Sequence, residues 1–199
     1  MTSTLSGREI KLTYEIDKEQ EVCELLGLTH QPKNVKAKRD AFNNNENWSI
    51  KNARSKSTQV FLTTQSKMIE RFGMPEEFKL FFGDKQKNRF NLNEIPSFIV
   101  ESYLEYLNSN TITLIKYAVA GDNEISHIAF RDLNNNKLHT CTVDSIMDKV
   151  ANAKWVIGKK FGSFQLVRDG QVLFHIQREG KGSSPHNVLF HIHLNAVTK

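Results

Sequence analysis

The sequence predicts a mixed α/β domain, on three observations. Apolar residues recur at helical spacing through the middle third, roughly from Pro75 to Ala120. In the last third the period changes to short apolar runs bounded by turn-forming residues. The first third combines the two, with an amphipathic stretch ahead of two strand-like pieces. The pattern describes a central mixed sheet flanked by helices, with a helical middle lobe. It divides one domain (1–199) into a hairpin with flanking helices (1–70), a helical lobe (71–121) and a β-rich segment (122–199).

Taken in order, Tyr14 to Leu28 carries Ile16, Val22, Cys23, Leu25 and Leu26 among acids, with Gly27 near its end, as a short helix would. Residues 29–45 are polar and basic, and Asn43-Asn44-Asn45 marks a turn. Trp48–Lys51 and Thr58–Leu62 read as strands, and Thr64 opens a helix toward Phe72-Gly73. Pro75 to Phe82 reads as a helix with proline in its first turn. Ile95, Phe98, Ile99, Tyr103, Leu104 and Leu107 then recur at helical spacing, and Ile112 to Ala120 continues it. Ile125–Leu133 and Leu138–Val143 flank Asn134-Asn135-Asn136 as a hairpin, and Val143 to Val150 is a short helix. Asp169-Gly170 is a hairpin turn signal between Phe164–Val167 and Gln171–Gln177, and Val188–Leu194 is a last strand.

Composition narrows the function. The chain has 199 residues, 39% hydrophobic and 25% charged, enough to bury a sizeable core. No apolar run reaches the roughly 18 residues of a membrane span, and the first residues lack the layout of a signal peptide. The two cysteines, Cys23 and Cys141, have no CxxC partner and read as buried thiols in a reducing, cytoplasmic compartment. Net charge is +5. It is concentrated: residues 31–58 hold seven basic side chains against Asp40 and Glu46, and residues 152–183 hold six against Asp169 and Glu179, leaving the remainder net negative. Such clustering fits a polyanionic partner; the plainer alternative is two solvated faces.

The chemistry-bearing string runs Lys38-Arg39-Asp40-Ala41-Phe42, then Trp48-Ser49-Ile50-Lys51, then Arg54-Ser55-Lys56-Ser57-Thr58-Gln59-Val60. Asp40 would open one strand. Strand alternation would put Ser49 and Lys51 on one face of the next. A second string is Asp169 followed by Glu179-Gly180-Lys181, which contains a literal acid-x-Lys. Asp169, however, stands at a hairpin turn, where turn chemistry already explains it. His175, His191 and His193, with His186, are better explained as half-buried strand histidines than as metal ligands.

The first string resembles the active-site hairpin of type II restriction endonucleases of the PD-(D/E)XK nuclease superfamily. Phe174-His175-Ile176-Gln177-Arg178-Glu179-Gly180-Lys181-Gly182 followed by Asn187-Val188-Leu189-Phe190 is similar to a C-terminal block that accompanies it. The resemblance covers about a third of the chain. It implies a sequence-specific endonuclease acting on double-stranded DNA with Mg²⁺, and a homodimer, because a palindrome has two strands to cut. Asp40 would bind the metal and Lys51 would serve the phosphate or the attacking water. Ser49 stands where the family has an acid, so the second ligand would be Ser49 itself or a helix-borne carboxylate, Glu21 or Glu24. Arg54, Lys56, Ser57, Thr58, Gln59, Gln177, Arg178 and Lys181 are the expected DNA contacts, Gln177 and Arg178 being suited to reading adenine and guanine edges. The rival expectation is a DNA- or RNA-binding protein without catalysis, for which the missing acid is the best argument.

Overall fold

The computed structural model describes residues 18–31, 38–81, 95–158, 163–178 and 187–198. It opens with helix α1 (described over residues 18–26), ended by Gly27 at φ 66°. Strands β1 (Thr29–His30), β2 (Ala41–Asn43) and β3 (Glu46–Ala53) follow. Then come β4 (Ser57–Thr64) and helix α2 (Gln65–Phe72), with the Thr64 side chain capping α2 and Gly73 closing it. A 3₁₀ turn (Glu76–Phe81) precedes α3 (Ser97–Ser109) and α4 (Thr111–Ala120). The last part holds β5 (His127–Asp132), β6 (Lys137–Thr142), α5 (Val143–Val150), β7 (Lys154–Ile157), β8 (Phe164–Arg168), β9 (Gln171–Arg178), β10 (Asn187–His193) and α6 (Leu194–Val197).

The strands of the described residues form two five-stranded sheets, ordered β1-β2-β3-β5-β6 and β4-β10-β9-β8-β7. The first is the mixed sheet expected from the sequence: β3 runs parallel to β5, with Ile50 beside Ala129 and Lys51 beside Phe130, and its other pairings are antiparallel. The second is antiparallel throughout. The chain passes from one to the other through the bend at Arg54–Lys56.

Strand β3 separates two apolar layers because its side chains alternate. Trp48 and Ile50 pack with Val22 and Cys23 of α1, Ala41 and Ala129. On the opposite face Ala53, with Ile128 and Phe130 of β5, joins the larger core built from α2 to α6 and the inner face of the second sheet.

Four described elements depart from the sequence reading, one of them α6, which starts at Leu194 where the last strand was expected to end. The helix expected over Pro75–Phe82 is a 3₁₀ turn. Phe78 and Phe81, three apart, both press on Tyr103, with ring centroids 5.0 and 4.6 Å away, and a period of three brings both rings to one side. Strand β1 was hidden in the polar segment because it is two residues long, and β7 because its four residues follow a helix with no alternation to announce them. The Asp169-Gly170 turn is as expected, both residues having positive φ.

The second sheet turns a row of polar side chains away from the core: Gln59, His191, His175 and Gln165 are successive cross-strand neighbours. His175 stacks on His191 with ring centroids 4.5 Å apart, and its Nδ1 lies 2.8 Å from Nε2 of His193. Burial first, then neighbouring imidazoles, push His191 and His193 down to about 4. A depressed histidine stabilises the fold fully above its unfolded value near 6.5, and that contribution disappears as pH falls toward 4. Thermal unfolding should therefore drop in temperature between pH 6.5 and 4, and His191→Gln should flatten that slope. An unchanged slope in the variant would show that other groups drive the acid limb.

Candidate active site

The site grows from the first hairpin. Asp40 lies in the bend before β2, its backbone N–H donating to Trp48 O and its carbonyl accepting from Gln31 N–H, both at 2.8 Å. Pairing between β2 and β3 stops at Ala41 and Trp48, so the Ile50 amide beyond it lacks a strand carbonyl there. The Asp40 carboxylate takes that place: Oδ2 accepts the Ile50 N–H at 2.7 Å and the Ser49 hydroxyl at 3.0 Å. Lys51 Nζ is 3.6 Å from the same oxygen. The Asp40 and Lys51 side chains are 26% and 21% exposed, so their attraction is screened less than that of a surface pair. Asp40 therefore meets Ser49 and Lys51, the pair that strand alternation puts on one face, and Ser49 is a donor to Asp40 in this arrangement.

Glu21 is elsewhere. Its carboxylate accepts from Lys18 at 2.6 Å and from Arg131 at 2.5 Å, and these two hydrogen bonds, in that order, hold it below the usual carboxylate range. Arg131 is the β5 neighbour of Asn52, which places it by alternation on the Trp48 and Ile50 side of the sheet, opposite Ser49 and Lys51. Glu21, expected beside Asp40 as a metal ligand, is engaged in this structure with Lys18 and Arg131 instead. The reason is a partner 110 residues away that no local pattern announces. Among the described residues no group of three or more His, Cys, Asp or Glu side chains is arranged to hold a metal.

Lys38 was not among the expected site residues. Its Nζ donates to the carbonyls of Tyr117 and Ala118, in the last turn of α4, at 2.8 and 3.1 Å. Burial, followed by the nearby charge of Lys51, lowers it to about 8. The contact spans 79 residues, so only the fold reveals it.

The described members of the expected DNA contacts lie in the bend between the sheets and on β4 and β9 of the second sheet. Arg54 and Lys56 are exposed in the bend between them, immediately after β3. Ser57, Thr58 and Gln59 start β4, opposite His193, Ile192 and His191. Gln177 and Arg178 end β9, paired with Leu189 and Val188. Lys181 and Glu179 lie outside the described residues. Asp169 is 87% exposed at its turn and pairs with Arg168 at 3.4 Å, as a turn residue would.

No protein-family model matches the chain, and no curated protein is significantly similar to it. Among solved structures, it is similar to the restriction endonuclease MspI in complex with its cognate DNA. The TM-score is 0.51, over 89% of this chain and 78% of that one, at 10% identity. The likeness is one of fold. It agrees with the mixed α/β, PD-(D/E)XK-like architecture expected from the sequence.

Because Ser49 donates to a carboxylate in a part-buried position, Ser49→Ala should cost about 1.5 kcal/mol of stability, the scale of a hydrogen bond to a charged group. Urea unfolding measures this. A loss near zero would mean that the Ile50 amide alone holds Asp40.

Proposed function

We propose that the protein is a magnesium-dependent endonuclease of double-stranded DNA, of the type II restriction kind, with Asp40 and Lys51 as its catalytic residues. The observation that carries this reading is the convergence of the Ser49 hydroxyl, the Lys51 ammonium and the Ile50 amide on one Asp40 oxygen. The fold shared with MspI supports it.

The donor set suits magnesium in a minimal way. Magnesium keeps several waters and is commonly held by one or two carboxylates together with substrate phosphates. Asp40 would supply the carboxylate, and the Ser49 hydroxyl is an oxygen beside it. When bound, the ion supplies charge for the phosphate oxygens and a more acidic water. The chain's own residues do the rest. The Ile50 amide and Ser49 fix the Asp40 carboxylate so that it need not reorganise. Lys51 brings a positive charge to where the scissile phosphate gains negative charge. Arg54 and Lys56 extend beyond the strand end and would hold flanking phosphates, with Ser57, Thr58 and Gln59 next to them. Gln177, Arg178 and Lys181 are assigned to base and backbone contacts, and a homodimer provides one site for each strand of a palindrome.

The rival, nucleic-acid binding without catalysis, draws on one observation: among the described residues, the Asp40 carboxylate is in contact with Ser49, Ile50 and Lys51, and no three acids or histidines gather there as a metal site. Plasmid cleavage with and without magnesium separates the two. Asp40→Ala and Lys51→Ala should each abolish cutting while calcium-supported DNA binding persists, and Glu21→Ala should still cut. Cutting by both variants at the wild-type rate would remove this hairpin from the chemistry.

Binding should weaken steeply between about 50 and 200 mM salt, log K falling linearly with log salt as counterions are released. A salt-independent affinity would rule out phosphate neutralisation by the two basic windows.

A further inference from the structure

Asp40 is fixed at its side chain by β3, but the segment entering it needs an anchor of its own. The two residues before it leave in different directions. Arg39 donates to Gln31 and Asn47 at 3.0 and 2.9 Å and lies over the Phe42 ring, tying it to the first hairpin. Lys38 goes to the C-terminal end of α4, where its ammonium donates to two carbonyls of the last turn, that of Tyr117 (which also accepts the capping Gly121 N–H at 2.9 Å) and that of Ala118. A cation at that end also meets the negative pole of the helix. The Lys38 backbone N–H donates to Glu124 just beyond the helix, at 3.1 Å.

The helix is shaped to receive it. Gly121, the residue after α4, has φ 65° and ψ −134°, a conformation essentially reserved for glycine. A Cβ there would stand 2.7 Å from Cδ and 3.3 Å from Nζ of Lys38. The backbone that only glycine adopts is thus the surface on which the lysine stem lies. Both halves of this contact are specific: the ammonium is partly buried, and the turn is one that a residue with a side chain would hold only under strain.

We propose that Lys38, seated on Gly121, is a positioning residue that holds Asp40 in place against Lys51 by clasping the strand entry to the end of α4. The inference rests on the nuclease reading for its catalytic consequence, but the geometric part stands on the contacts above. It explains why a lysine is directed at backbone carbonyls only two residues ahead of the carboxylate that meets Ser49, Ile50 and Lys51. It also gives the helical lobe a function, since the C-terminus of α4 becomes the fixed point against which the hairpin is set.

Two measurements test it. The first is amide hydrogen exchange at Ile50, whose N–H is held by the Asp40 carboxylate and so reports that carboxylate's placement without any catalysis. Lys38→Met should speed exchange at Ile50 while amides of the β5 and β6 pairing keep their protection. Lys38→Arg, which keeps the cation, should restore much of it. Gly121→Ala, which pushes the stem away, should act in the same direction as Lys38→Met. The second is cleavage: Lys38→Met should lower kcat by roughly tenfold to a hundredfold, the usual scale for a small misplacement of a catalytic group, with KM for DNA little changed. Unchanged Ile50 exchange in both Lys38→Met and Gly121→Ala overturns the proposal. So does a loss in Lys38→Met spread evenly over the fold, with no excess at Ile50 in any variant. A wild-type chain that cuts no duplex sinks the nuclease reading and the kinetic arm with it, and the exchange arm then decides the clasp alone.

Discussion

The parallel pairing of β3 with β5 is the constraint on which the rest depends. It is the only connection in the two described sheets that joins strands running in the same direction, and it forces the chain to cross over between them. The crossover carries β4, α2, the 3₁₀ turn and the α3–α4 pair, so the helical lobe exists to return the chain to the side of β3. Once that pairing is set, alternation decides every side chain of β3. Trp48 and Ile50 close the small core under α1, and Ser49, Lys51 and Ala53 face the lobe. A slip of one residue would put Lys51 into the apolar layer and Ile50 beside Asp40. The two separate apolar clusters make that slip costly, and this is what gives the polar face its definition.

Asp40 completes the strand rather than merely approaching it. Its carboxylate satisfies an amide that a longer β2 would have paired, so the residue has a structural duty as well as any chemical one. A carboxylate that accepts a backbone N–H and a hydroxyl while facing an ammonium is held in one rotamer, with little freedom to lose when a substrate arrives. The short β2 is then informative. By ending at Ala41 it leaves both the space and the unsatisfied amide that fix the acid.

Local pattern was enough to read much of this. Period-two spacing brought Ser49 and Lys51 to one face, and Asp40 was placed ahead of the hairpin that the Asn-rich turn announced. The Thr64 cap, the Asp169-Gly170 turn and the pairing of β5 with β6 were equally legible, because each depends on neighbours within a few residues. What failed to show were contacts made by side chains across long stretches of chain. Glu21 looked available because nothing near it in sequence says that Arg131, on a strand 110 residues later, takes it. Lys38 looked like one more charge in a basic window because its acceptors belong to a helix end 79 and 80 residues away. The division into two sheets was hidden for a related reason: strand-like spacing gives the face of a residue but not the partner of its strand.

The same long-range contacts revise the meaning of the basic windows. In the first, Lys38 is held by carbonyls, Arg39 by Gln31, Asn47 and an aromatic ring, and Lys51 by Asp40. Among its described residues only Arg54 and Lys56 are exposed cations, and in the second window Arg168 is turned to the carbonyls of Asp148 and Lys149 while Lys154 is exposed. The footprint for a polyanion is therefore smaller than the sequence count, but it is better placed. Arg54 stands three residues from Lys51, about 10 Å along an extended chain, so the exposed charge adjoins the site. On the reading proposed above this arrangement carries its own requirement. A phosphate drawn in by Arg54 and Lys56 meets Lys51 and Asp40 together, and the attraction of one is opposed by the repulsion of the other. A divalent cation at the carboxylate would reverse that repulsion, which makes productive binding of the backbone at Lys51 and occupancy of Asp40 mutually dependent.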